Sequence, residues 1–310
     1  MTDMDATSPQ PTSDEAAPAR RATPRPTYDE PTRIAATDRT RHVWGDAESG
    51  FVIDQVYLSS DNLHVLDFAL PPGGRFGHSP DNPTIFAADE LLYVRDGELL
   101  LSDPSTGETQ RVVSGEAVFF ERDTWHHGRA GSSSGVRVLE FFSPTPATGA
   151  SSAYAKKQPY LETAETVDER IFARWPTNAA ELQSERRLHP VREHDLAWAQ
   201  RDELEIAFFA ATEHLTVARC HLGPGAASAD ERHPGEEFVL VLSGELMIRT
   251  PTAEAANCLF LGPGDAAVLP PGTPHSYLSC GNDNTCWISG VGPGWRAAQD
   301  IWPGHTAPLQ

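Results

Sequence analysis

The sequence predicts an all-β protein made of two tandem barrels behind an N-terminal tail, and three observations carry that prediction. First, a spaced pattern occurs twice: Pro72, Gly73, His78, Glu90, Gly97, Gly115 and His126, then Pro224, Gly225, His233, Glu237, Gly244, Gly264 and His275. Second, Leu63 to Gly73 (LHVLDFALPPG) aligns with Leu215 to Gly225 (LTVARCHLGPG) without a gap, which marks an internal duplication. Third, short alternating apolar runs are punctuated by Gly, Pro and Asp, and no long amphipathic helical pattern interrupts them, as expected of a sandwich or barrel.

Taken in order, residues 1–40 are rich in Pro, Thr, Ala and Asp and poor in large apolar side chains, so a disordered tail is expected there. The first barrel is expected over 41–148. Its strands are read at Phe51 to Tyr57, Leu63 to Leu70, Glu90 to Arg95, Glu98 to Ser102, Ala117 to Phe120 and Val136 to Phe142. The pattern loosens over 149–200, a linker with a short helix expected at Ala179 to Arg186. The second barrel is expected over 201–296 and a C-terminal tail over 297–310. The loop from His78 to Glu90 is longer than its counterpart and is the one large difference between the halves.

The chain has 310 residues and a net charge of −20, from 24 basic and 44 acidic residues. That balance argues against nucleic acid and anionic membrane surfaces as partners, because phosphate binding requires clustered Lys and Arg. No segment approaches the ~20 apolar residues of a membrane span, and no apolar run follows Arg20-Arg21, so a cytoplasmic location is expected. Cys220, Cys258, Cys280 and Cys286 are expected as free thiols; Cys280 and Cys286 flank a hairpin turn.

The paired motifs resemble the cupin superfamily, whose usual signatures are G-x5-H-x-H-x3,4-E-x6-G and G-x5-P-x-G-x2-H-x3-N. Gly264, Pro270, Gly272 and His275 fit the second signature up to its His, with Ser279 at the usual Asn. In the first half, Gly115 and His126 keep the spacing while Glu121 and Asp123 replace the Pro and Gly. Glu231 stands where the first His of the second half's first signature belongs. The resemblance spans about Arg41 to Trp295 and implies a bicupin: two double-stranded β-helix, or jelly-roll, barrels.

Strand alternation puts Glu90 on one face with Leu92 and Val94, and Glu237 with Val239 and Val241. A carboxylate among apolar neighbours is costly to bury unpaired, and a divalent cation shared with imidazoles resolves that cost. The expected metal ligands are therefore His78, Glu90 and His126 in the first half, and His233, Glu237 and His275, with Glu231 added, in the second. Two imidazoles and one carboxylate suit non-haem Fe(II), and an added carboxylate shifts preference toward Mn(II). His127, by alternation, points away from its neighbour His126.

What the resemblance implies is a metal-dependent enzyme. Its leading form is an Fe(II) dioxygenase using O2 on a small phenolic or diketone-like substrate, with the first half as the favoured site. The absence of a His-x-His pair counts against Mn(II) oxalate decarboxylation and against a three-His dioxygenase. A redox-neutral decarboxylase, lyase or isomerase, with Tyr93 or His127 as acid or base, is the alternative. A non-catalytic small-molecule-binding protein is the third reading. Homo-oligomerisation is compatible with all three.

Overall fold

The computed structural model describes residues 24–146, 155, 157–158, 187–251 and 256–294. Two β-barrels account for nearly all of them. The first is built on strands Thr40–Asp46, Gly50–Ser59, His64–Leu70, Asp89–Asp103, Ala117–Phe120 and Val136–Ser143. Their counterparts in the second are Ala197–Arg201, Leu204–Ala211, Thr216–Leu222, Glu236–Ser243, Ala266–Leu269 and Thr285–Gly292. In both barrels the last of these strands lies between the strand that begins one residue before Glu90 or Glu237 and the third strand, all antiparallel. The expected break at Gly97 is absent: one strand, Asp89–Asp103, runs through it and changes partners from Val136–Ser143 to Glu108–Val113 and His127–Ala130.

Alternation divides the apolar side chains between three cores. Leu92, Val94, Val118, Phe120 and Val138 fill the first barrel, and Val239, Val241, Ile248, Ala267 and Trp287 fill the second. The opposite faces of the same strands meet between the barrels, where Tyr57, Leu91, Tyr93 and Phe141 pack against Phe209, Val217, Phe238 and Ile288. Fully burying each such side chain is worth about 1.5–3 kcal/mol, so neither sheet would leave this face in water. Gly290 permits a close approach, since a Cβ there would lie 2.3 Å from the Phe141 ring.

The barrels also exchange strands. Thr32–Ile34 pairs with Ala266–Leu269 of the second barrel, and His189–Val191 pairs with the equivalent Ala117–Phe120 of the first. This corrects the tail expected to reach residue 40: residues 24–40 are described, and Ile34 is buried in the inter-barrel core. Residues 1–23, the helix expected at Ala179 to Arg186 and the tail expected over 297–310 lie outside the described residues. Within the expected linker, 187–200 carries the strand His189–Val191, a 3-10 turn at Glu193–Asp195 and most of the strand Ala197–Arg201. No helix among the described residues is long and apolar enough to cross a membrane.

Candidate metal centre

The second barrel gathers its polar donors at one end of an apolar interior. Glu237 opens the inner face of the strand Glu236–Ser243, opposite Leu269. His275 follows the turn after Leu269, and a backbone bridge pairs it with Glu231. Glu231, His233 and His275 bring ligand atoms within 4.8 Å of one another. Glu237 Oε2 lies 3.1 Å from His275 Nε2 and 3.4 Å from His233 Nε2. The other carboxylate oxygen, Oε1, accepts hydrogen bonds from Tyr277 Oη (2.7 Å) and Ser289 Oγ (2.5 Å). His275 Nδ1 donates to the Thr273 carbonyl at 3.0 Å, which turns Nε2 toward the carboxylates. A narrow cavity bounded by Leu204, Ile206, Phe208 and Ala218 opens onto Glu231, His233 and Glu237, with room of about 20 Å³ for a single ion or water.

Electrostatics make this group an ion pair. Burial by itself would raise the Glu237 carboxyl, but His233, His275 and the hydrogen bonds hold it at about 2. Burial would lower His275, but Glu237 and Glu231 push it up to about 10. Tyr277 is driven well above the usual phenol range by burial and then by the two carboxylates, so it stays a donor. Glu237 Oε2 and His275 Nε2 are buried without a hydrogen-bond partner of acceptable geometry. Two carboxylates and two imidazoles converging on such atoms fit a divalent cation with open positions.

The first barrel follows the same backbone plan with different side chains. His126 N donates to the Thr84 carbonyl just as His275 N donates to that of Glu231, and Asp123 N donates to Phe86 as Gly272 N does to His233. Asp123 and Gly272 share the left-handed conformation, with φ of 69° and 74°. The segment Thr84 to Glu90 therefore matches Glu231 to Glu237 residue for residue. Thr84 occupies the place of Glu231, and Phe86 that of His233. Tyr277 has Gly128 as its counterpart, and the Phe76 ring fills the space a Cβ there would need. Ser289 has Glu140 as its counterpart, since Glu140 pairs with Leu92 as Ser289 pairs with Val239.

His78 is consequently not with Glu90 and His126. Its Nδ1 lies 2.6 Å from His127 Nε2, and its ring packs on Trp125 at 4.7 Å. His127 is engaged in this imidazole pair. Tyr93 is also away from the site, packed against Phe209 between the barrels. Glu90, His126 and Glu140 form the group that remains, with Glu90 Oε2 at 3.6 Å from His126 Nε2. Burial, then Glu140 and Asp89, raise Glu90 well above the carboxylate range, and burial lowers His126 to about 4. His127 is lowered to about 3 by burial and by its neighbours His78 and His126.

Several neighbours escape a reading by spacing. Phe76, Phe86 and Phe120 surround the His126 ring, whereas Phe119 packs toward the inter-barrel core. Glu236 is buried and accepts from Ser60 of the first barrel; its counterpart Asp89 accepts from Thr212 of the second at 2.8 Å. The carboxylates preceding Glu90 and Glu237 thus tie the two barrels together. All four cysteines are free, and Cys220 lines the second-barrel cavity.

Residues 218–291 match the Cupin domain family, and the described residues share the two-barrel fold of solved bicupin structures. A single-site mutant of Bacillus subtilis oxalate decarboxylase superposes with a TM-score of 0.59 at 14% identity, covering 88% of this chain and 80% of that one. The formate complex of Lactobacillus farciminis oxalate decarboxylase gives 0.58 at 16% identity, covering 85% and 86%. Another Bacillus subtilis oxalate decarboxylase structure, described by its Mn(II) centres, gives 0.57 at 14%, covering 86% and 78%. No curated protein shows significant sequence similarity to the chain.

Proposed function

We propose that the protein is a metal-dependent enzyme that carries out redox-neutral chemistry, decarboxylation foremost, on a small organic acid in its second barrel. The observation that carries this reading is the convergence of Glu231, His233, Glu237 and His275, with Glu237 Oε2 and His275 Nε2 buried, 3.1 Å apart and without a hydrogen-bond partner of acceptable geometry. These four residues would hold the cation. Two carboxylates among the donors favour Mn(II) over Fe(II), in keeping with a structural neighbour described by its Mn(II) centres. A bound divalent ion would supply Lewis-acid polarisation of a carboxylate.

The chain's own residues do the rest. Tyr277 and Ser289 hold Glu237 in one orientation, and Thr273 fixes the tautomer of His275. Leu204, Ile206, Phe208 and Ala218 set an apolar wall beside the donors. Arg201, 3.6 Å from Glu231, offsets part of that carboxylate's charge. The structural neighbours named above are oxalate decarboxylases, which favours this reading over the dioxygenase one. A panel of small mono- and dicarboxylic acids, followed for CO2 release and O2 uptake with Mn(II)-loaded protein, tests the proposal. CO2 without net O2 consumption supports it; stoichiometric O2 consumption would return the site to oxygenase chemistry.

A further inference from the structure

We infer that the outer face of the first barrel around Val43, Phe51 and Ile53 is a docking surface for a second copy of this chain, related to the first by a twofold axis. It is independent of the metal chemistry, because none of these residues borders the second-barrel cavity. Among the described residues, Val43, Phe51 and Ile53 are 57%, 61% and 60% exposed. They form one strip. Val43 pairs with Ile53 across the strands Thr40–Asp46 and Gly50–Ser59, Phe51 follows on the same face, and the exposed Ala69 pairs with Ile53 on its other side.

The second barrel provides an internal comparison for this face. There Gln200 pairs with Glu205, and Glu205 with His221, so the three stand where Val43, Ile53 and Ala69 stand in the first barrel. Gln200 and Glu205 are exposed. One position of one fold is thus polar in one barrel and apolar in the other, and the apolar version gains by being covered. The strip also continues an existing interface. Phe51, Ile53, Gln55 and Tyr57 share one face of their strand, and Tyr57 is buried under the second barrel. Asp67, held by Arg137 at 2.9 Å and by Arg95, closes that interface, and the apolar strip lies beyond it.

Charge selects the occupant. Arg41 and Glu48 are both exposed and lie toward opposite ends of the strip, on the edge strand Thr40–Asp46 and in the turn after it. Arg41 to Asp46 alone spans about 17 Å at about 3.3 Å per residue, so the two charges do not meet within one chain. A twofold axis running across the strands lays Arg41 of each copy over Glu48 of the other, with the apolar side chains between them. The surface is therefore self-complementary. Pairing of edge strands alone would leave Phe51 and Ile53 in water, so the sheets pack face to face.

The test is sedimentation equilibrium of the full chain over a range of concentrations. Wild type should be a dimer, and Ile53→Arg a monomer at the same concentrations. Phe260→Arg alters a side chain of the second barrel that is 63% exposed, and should stay dimeric. Arg41→Glu and Glu48→Arg should each weaken the dimer several-fold. The combined variant should regain wild-type affinity, a rescue that only a contact between copies gives. A monomeric or trimeric wild type would overturn the inference, as would a dimer that persists in Ile53→Arg or a combined variant no tighter than its parents.

Discussion

Metal loading of the second barrel should expel a proton from His275, and its pH dependence can be worked out from the site. In the metal-free protein Glu237 and Glu231 raise His275 to about 10 against its burial, so it is an imidazolium at neutral pH. A cation can use Nε2 only after that proton leaves. Apparent affinity should therefore rise about tenfold per pH unit, about 1.4 kcal/mol, or about a hundredfold from pH 6.5 to 8.5. Chelator-buffered Mn(II) titration at each pH measures the slope. Glu237→Gln removes the main cause of the raised value, so this variant should bind weakly and with little pH dependence above 7. A flat profile for the wild type, or one that survives Glu237→Gln, would refute the reasoning. The same pair sets the stability of the metal-free protein. The His275 contribution is complete below about 6.5 and is lost as pH rises through about 10, while that of Glu237 is present above about 4.5 and is lost as pH falls through about 2.

Other consequences are direct. Tyr277→Phe deletes the 2.7 Å hydrogen bond to Glu237 and should cost about 1.5–3 kcal/mol in denaturant unfolding of the metal-free protein. Ile34→Ala removes a side chain 4% exposed from the inter-barrel core and should cost about 2–5 kcal/mol in the same assay. Gly290→Ala places a methyl 2.3 Å from the Phe141 ring and should cost about 1–3 kcal/mol, read as a lowered midpoint, without loss of second-barrel metal.

The duplicated barrel could be read from spacing because strand ends and tight turns leave little freedom. Glu90 and Glu237 open equivalent strands, and His126 and His275 follow equivalent turns, so their correspondence survives folding. His78 was a different matter. It lies in a long loop, where a gap can be placed anywhere, and a search for donors aligns His with His even when the true counterpart is Phe86. A lost ligand has no chemical signature, and neither has Glu140, which in sequence is one acidic residue in an apolar strand. Tyr277 and Ser289 were hidden for the same reason, since their value lies in reaching Glu237 from neighbouring strands. The exchanged strand Thr32–Ile34 is three residues in a polar stretch, and only its pairing with Ala266–Leu269 gives it structure. The gapless match of Thr84–Glu90 with Glu231–Glu237 was the one signal that could have corrected the ligand set.

Phe86, not His78, is the counterpart of His233, and metal content separates the two assignments. Metal content would be measured on wild type, His233→Ala and His78→Ala prepared side by side. The structure predicts that His233→Ala loses one equivalent and His78→Ala loses none; loss with His78→Ala and retention with His233→Ala would contradict it.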